Sequence, residues 1–213
     1  MNGRELVKRS LQELCSRRPL RGALTWHGRS SRAAVALTFD DGPNPEYTRG
    51  VLDTLDARGA VGTFFVLGQR VETHPEIVRE IVERGHEIGI HGYDHGPDDL
   101  PGQTRRTTEI LSRMGIRSRL FRPPRGRFGP ACLAWMVGHR YVTVLWSFDS
   151  YDAGRLMGWK SGAVDYQAIG GGDVVLFHDD NELCRDELPR VLDELARKGL
   201  SAVSVSSLLE RSP

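Results

Sequence analysis

Two adjacent carboxylates, Asp40 and Asp41, close the apolar run Val35–Phe39 and enter the turn Gly42-Pro43-Asn44-Pro45. Burying two like charges is costly unless a cation lies beside them, and a metal ion meets that need. One carboxylate can ligate the ion while the other stays free as a base. His91 and His95 follow a second apolar run, Glu87–Ile90. Gly92, Gly96 and Pro97 place them in a loop that can fold both rings onto one divalent ion. Two histidines and one aspartate are a familiar catalytic ligand set that leaves room for water. Asp94, between the histidines, reads as a solvated loop residue rather than a fourth ligand.

Three further constellations accompany these. In Phe121-Arg122-Pro123-Pro124-Arg125-Gly126 the prolines stiffen the loop, and Arg122 at its start is suited to pair with a buried carboxylate. The stretch Trp146-Ser147-Phe148-Asp149-Ser150-Tyr151-Asp152 sets Asp149 just past another apolar run. His178 ends the run Asp173–Phe177 and is suited to proton transfer. Taken singly, an Asp-Asp-Gly-Pro stretch is an ordinary turn and a strand-end histidine a core residue. The chemistry lies in the set.

Something must bring these groups to one place. Short apolar runs predict strands at 35–39, 63–67, 87–90, 120–121, 141–146, 173–177 and 202–205. Helical spacing predicts helices at 46–58, 75–84, 103–114, 130–137 and 186–198, with a short final helix. This alternation favours a parallel sheet with crossover helices. Five predicted strands each deliver a polar group at the C-terminal end. A barrel gathers such ends at one mouth, whereas an open sheet spreads them along a line. The expected fold is therefore α/β, a (β/α) barrel with imperfect closure.

The chain of 213 residues suits one domain. Residues 33–213 are expected to form it, after an N-terminal segment, 1–32, with an amphipathic helix at 4–16. Lys and Arg number 29 against 28 Asp and Glu, a balance that gives no nucleic-acid footprint. No apolar run is long enough for a transmembrane helix. Charged residues from Arg4 to Arg18 interrupt any leader core, so the expected location is the cytoplasm. Cys15, Cys132 and Cys184 are odd in number and lack a CxxC pair, as suits reduced structural thiols.

The segments Thr38–Pro45, His91–His95, Phe121–Gly126, Asp149–Asp152 and Leu176–Asp179 resemble the five ordered motifs of the polysaccharide deacetylases, the NodB-like carbohydrate esterases of family 4. The resemblance spans about residues 35–205 and implies a distorted (β/α)7 barrel in a single domain. It implies metal-dependent removal of N-acetyl groups from an N-acetylated sugar. Asp40 would be the general base, and Asp41, His91 and His95 the ligands of one divalent ion. Zn2+ suits such a set first, and Co2+, Ni2+, Mn2+ and Fe2+ also fit. Arg122 would orient Asp40, His178 would be the general acid, and Asp152 would orient His178. Leu176 would line the acetyl pocket, Asp149 would meet substrate, and the backbone N–H of Arg125 would stabilise an oxyanion.

Three positions depart from the family pattern. Gly92 stands where Ser or Thr usually braces the loop. Arg125 replaces an aromatic residue and offers a cation to an acidic substrate group. Ala153 replaces a Trp that walls the pocket, and Trp159 is expected to pack rather than take its place. Two other functions compete: a deacetylase or amidohydrolase of a non-polymeric acetylated small molecule, and a non-catalytic, metal-stabilised carbohydrate-binding module. The latter needs a missing base, acid or ligand, and none is missing.

Overall fold

The structure, a computed structural model, describes residues 22–28 and 33–210. The helix expected at 4–16, Cys15 and part of the 1–32 segment lie outside these residues. The strands are β1 (Leu24–Thr25), β2 (Ala34–Asp40), β3 (Gly62–Val66), β4 (Glu87–Ile90), β5 (Leu120–Phe121), β6 (Val142–Val144), β7 (Phe148–Asp149), β8 (Val174–His178) and β9 (Ser201–Ala202). The helices are α1 (Thr48–Asp56), α2 (Gly68–Thr73), α3 (Pro75–Glu83), α4 (Leu100–Arg113), α5 (Pro130–Gly138), α6 (Asp152–Leu156), α7 (Glu182–Arg197) and α8 (Val205–Leu209).

All the strand pairings are parallel, in the order β1-β6-β5-β4-β3-β2-β8-β7, with β9 added to β2. The sheet curls so that an antiparallel bridge joins His27, just after β1, to Asp173, just before β8, without completing a ladder. This is a distorted, incompletely closed (β/α) barrel. The run 141–146, expected as one strand, is shortened to 142–144 as β6, and beyond it the chain joins β8 as the separate strand β7.

Central strands read as continuous apolar runs because both faces are covered. On β2, Val35, Leu37 and Phe39 join the large cluster with α1 (Val51, Leu52, Leu55) and α7 (Leu188, Val191, Leu192). The alternate residue Ala36 faces the barrel interior with Phe65, Leu120, Val144 and Val174. Val205 and Leu208 of α8 belong to this second cluster and plug the N-terminal end of the barrel. Strand period two therefore aims Thr38 and Asp40 inward as well. Helix α7 starts four residues before the predicted 186, because the Asn181 side chain accepts the Cys184 N–H at 3.0 Å and caps it.

Candidate active site

Asp40 ends β2 and is 2 % exposed. Beside it Arg122, fully buried, donates through Nη1 to Asp40 Oδ1 and Thr38 Oγ1, both at 2.8 Å. Its Nε donates to the Val144 carbonyl at 3.1 Å, and its guanidinium lies 4.2 Å from the Phe65 ring centroid. Burial lowers the Arg122 pKa, and Asp40 opposes that shift. The cation is thus locked by carbonyls and one carboxylate, leaving Asp40 Oδ2 toward the mouth.

Asp41 turns away from the strand at φ 72°. Its Oδ1 is buried without a hydrogen-bond partner, 3.5 Å from His91 Nε2 and 3.6 Å from His95 Nε2. Ligand atoms of the three residues all lie within 4.8 Å of one another. His91 Nδ1 contacts the Arg122 carbonyl at 2.9 Å, which makes Nδ1 the protonated nitrogen and frees Nε2. Burial holds the His95 pKa down, with His91 and Arg125 adding to the effect and Asp41 opposing it. A neutral imidazole is the form that ligates. An orphaned carboxylate oxygen facing two free imidazole nitrogens fits one divalent cation. Asp94 is exposed and instead accepts the Gly96 N–H at 2.8 Å.

The brace expected from a hydroxyl at position 92 comes from α4. Gln103 Oε1 accepts the Tyr93 N–H at 2.8 Å, and its Nε2 donates to the carbonyls of Gly96 and Asp98. Thr107 Oγ1 donates to the Gly92 carbonyl at 2.8 Å. Gln103 is a supporting residue that sequence reasoning missed, because a polar residue on a half-exposed helix gives no signal. Gly92 sits at φ 86°, and a Cβ there would lie 2.9 Å from Gln103 Oε1. Restoring the family residue with Gly92→Ser is therefore expected to destabilise the fold by about 1–3 kcal/mol. Thermal unfolding of the apoprotein measures this, and an unchanged midpoint would contradict it.

On the other side, β8 pairs with β2 so that His178 lies opposite Asp40. Asp152, fully buried at the start of α6, accepts His178 Nδ1 at 2.8 Å and the His178 N–H at 2.7 Å. Ser150 Oγ and Asn181 Nδ2 complete its shell. Burial lowers the His178 pKa, but the hydrogen bond and charge of Asp152 outweigh it and carry the imidazole up to about 10. Burial likewise raises the Asp152 pKa, and His178 overcomes this to hold it below its usual value. His178 is thus a protonated donor at neutral pH.

Leu176 is buried on β8, level with Thr38 and Asp149 on its two neighbours. Burial raises the pKa of half-buried Asp149, whose Oδ1 accepts the Tyr151 N–H at 2.8 Å. Arg125 is exposed in a left-handed conformation, φ 57°. Trp159 does not pack as expected. It is 79 % exposed, because its backbone only closes a turn onto the Gly154 carbonyl and its ring lies outside both apolar clusters. Tyr151, Leu156 and Met157 of the same segment are exposed too. Cys184 is buried and unpaired, and burial raises its thiol pKa well above the ordinary value, which suits packing rather than nucleophilic chemistry.

Residues 27–142 match the family model for polysaccharide deacetylase, and a Bacillus cereus peptidoglycan-N-acetylglucosamine deacetylase is 34% identical over 88% of this chain and 93% of its own. The chain belongs to the polysaccharide deacetylase family. A second Bacillus cereus member, also a peptidoglycan-N-acetylglucosamine deacetylase, is 33% identical over 89% of this chain and 73% of its own. A solved peptidoglycan N-acetylglucosamine deacetylase, in complex with 4-naphthalen-1-yl-N-oxidanyl-benzamide, superposes with a TM-score of 0.81 at 31% identity. It covers 90% of this chain and 95% of that one. With this ligand triad, the polysaccharide deacetylase described here is a metal-dependent hydrolase of carbon–nitrogen bonds. The relatives also correct the expected location. They act on peptidoglycan, a polymer outside the cytoplasmic membrane, and this overturns the cytoplasmic expectation drawn from the interrupted leader core. Among the described residues no helix is long and apolar enough to cross a membrane.

Proposed function

We propose that this chain hydrolyses the N-acetyl group of amino sugars in a cell-wall glycan, releasing acetate and leaving a free amine. The observation that carries this reading is that Asp40 and His178 lie level on the paired strands β2 and β8, with the Asp41–His91–His95 triad gathered from the ends of β2 and β4. Residues 33–213 form the catalytic domain, and Zn2+ is the proposed ion. A divalent ion bound by Asp41, His91 and His95 supplies Lewis acidity toward the acetamide carbonyl and acidifies water.

The chain's own groups do the rest. Asp40, held by Arg122, takes a proton from the water that attacks the acetyl carbon. The backbone N–H of Arg125 stabilises the developing oxyanion. His178 gives its proton to the nitrogen as the carbon–nitrogen bond breaks, and Asp152 keeps the imidazole charged and oriented until then. Leu176 offers an apolar floor to the acetyl methyl group, and Asp149 lies beside it to bind sugar hydroxyls. The Arg125 guanidinium, close enough to His95 to influence its pKa, is placed to meet an acidic substituent of the glycan. The exposed Tyr151, Leu156, Met157 and Trp159 offer apolar faces to neighbouring sugars.

Acetate release from N-acetylglucosamine oligomers and from solubilised peptidoglycan tests this. Release is expected to stop with chelator and return with added zinc. No release from either substrate by zinc-loaded protein would sink the reading.

A further inference from the structure

Asp179, next in the chain to His178, has no part in the mechanism above, yet it is fully buried. Its Oδ2 accepts the Thr48 hydroxyl at the start of α1, and Thr48 Oγ1 in turn accepts the Asn44 N–H at 2.8 Å. Its Oδ1 is buried with no hydrogen-bond partner. An orphaned carboxylate oxygen is expensive to keep and needs a reason.

The reason lies against Gly42. A Cβ built on Gly42 would meet Asp179 Oδ2 at 2.2 Å, Oδ1 at 2.4 Å and Cγ at 2.6 Å. Gly42 is not among the glycines of positive φ, so its backbone alone would accept a side chain. What excludes one is the carboxyl group pressed against it. The same turn is gripped on both flanks. The Leu67 N–H donates to the Gly42 carbonyl at 3.0 Å, and the Asp179 N–H donates to the Asp40 carbonyl at 3.2 Å. Between these clamps sits Asp41 at φ 72°, a left-handed conformation that aspartate adopts more readily than most residues but still at some cost.

We propose that Asp179 is a positioning residue for the cation site, filling the space beneath the Asp41–Gly42 turn and so holding the Asp41 carboxylate toward His91 and His95. The inference rests on Asp41 being a ligand. It also explains the glycine: residue 42 is small because residue 179 occupies its place.

Zinc chloride titrated calorimetrically into the metal-free protein tests the proposal without need of turnover. Asp179→Ala is expected to weaken zinc binding at least about tenfold, the usual scale for groups that support a ligand. Asp179→Asn, which keeps the volume, should stay within about threefold of the native protein on that scale. Gly42→Ala should weaken binding in the native background and cost far less in the Asp179→Ala background, where the space is open. If Asp179→Ala does not fold, Asp179→Ser takes its place in the cycle. Native zinc affinity in Asp179→Ala, an equal loss in Asp179→Asn, or an equal cost of Gly42→Ala in both backgrounds would each overturn the proposal. A native protein that binds no zinc would instead sink the cation site itself.

Discussion

Asp40→Asn is expected to cut kcat by roughly 10²–10⁴-fold, the range for loss of a general base, while zinc still binds. Asparagine keeps the shape of the side chain but cannot take a proton from water. The ligand atoms belong to Asp41, His91 and His95, so the cation site loses no donor. A second effect follows from Arg122. Its guanidinium is fully buried and Asp40 is the carboxylate it pairs with, so the variant leaves a buried charge without its counter-ion. Breaking such a pair costs about 3–5 kcal/mol. Acetate-release kinetics, zinc calorimetry and thermal unfolding on the same preparation separate the two effects. Turnover within tenfold of the native rate would remove Asp40 from the role of base.

Asp152→Asn carries the second large effect, and its signature is a pH dependence. In the native protein Asp152 holds the His178 pKa up at about 10 against burial. A raised histidine pKa contributes stability that is fully present below the unfolded value, about 6.5, and is lost as pH rises through about 10. The depressed Asp152 pKa works in the other direction, contributing stability above the ordinary carboxylate range that is lost as pH falls. Without the carboxylate, burial pulls the His178 pKa down against the remaining charges of Asp40 and Asp41, so the imidazole gives up its proton at lower pH than in the native protein. The general acid is then depleted, and kcat at pH 7.5 is expected to fall by roughly 10²–10⁴-fold. Lowering the pH should recover part of the loss, so the alkaline limb of the rate profile moves to lower pH. An alkaline limb at the native position would show that Asp152 does not set the His178 proton.

The candidate site residues were legible because each sits at the end of an apolar run, where strand and loop meet. Asp40, His91, Arg122, Asp149 and His178 were placed at one mouth by that rule, and the structure gathers them. Some short elements were not legible, although the two-residue β5 was read at 120–121. β1 and β7 have two residues each, too few to show period two, and α2 has six, fewer than two turns. Split pairing around β6 and β7 depends on the curl of the whole sheet. Supporting contacts were hidden for another reason. Gln103 reaches the ligand loop across space from a helix, and Asp179 acquires its meaning only when Gly42 is seen against it. Trp159 misled in the opposite sense, since a large aromatic residue is ordinarily a packing residue and here faces solvent.

The pairing of β2 with β8 also fixes a length. Asp40 and His178 are level across one ladder step, so their backbones stand one strand spacing apart, about 4.8 Å. Hydrogen bonds of the sheet maintain this ruler, and no loop can stretch it. Segments 93–99, 124–129 and 151–162 form the rim, where change alters what is admitted without altering the backbone spacing of Asp40 and His178.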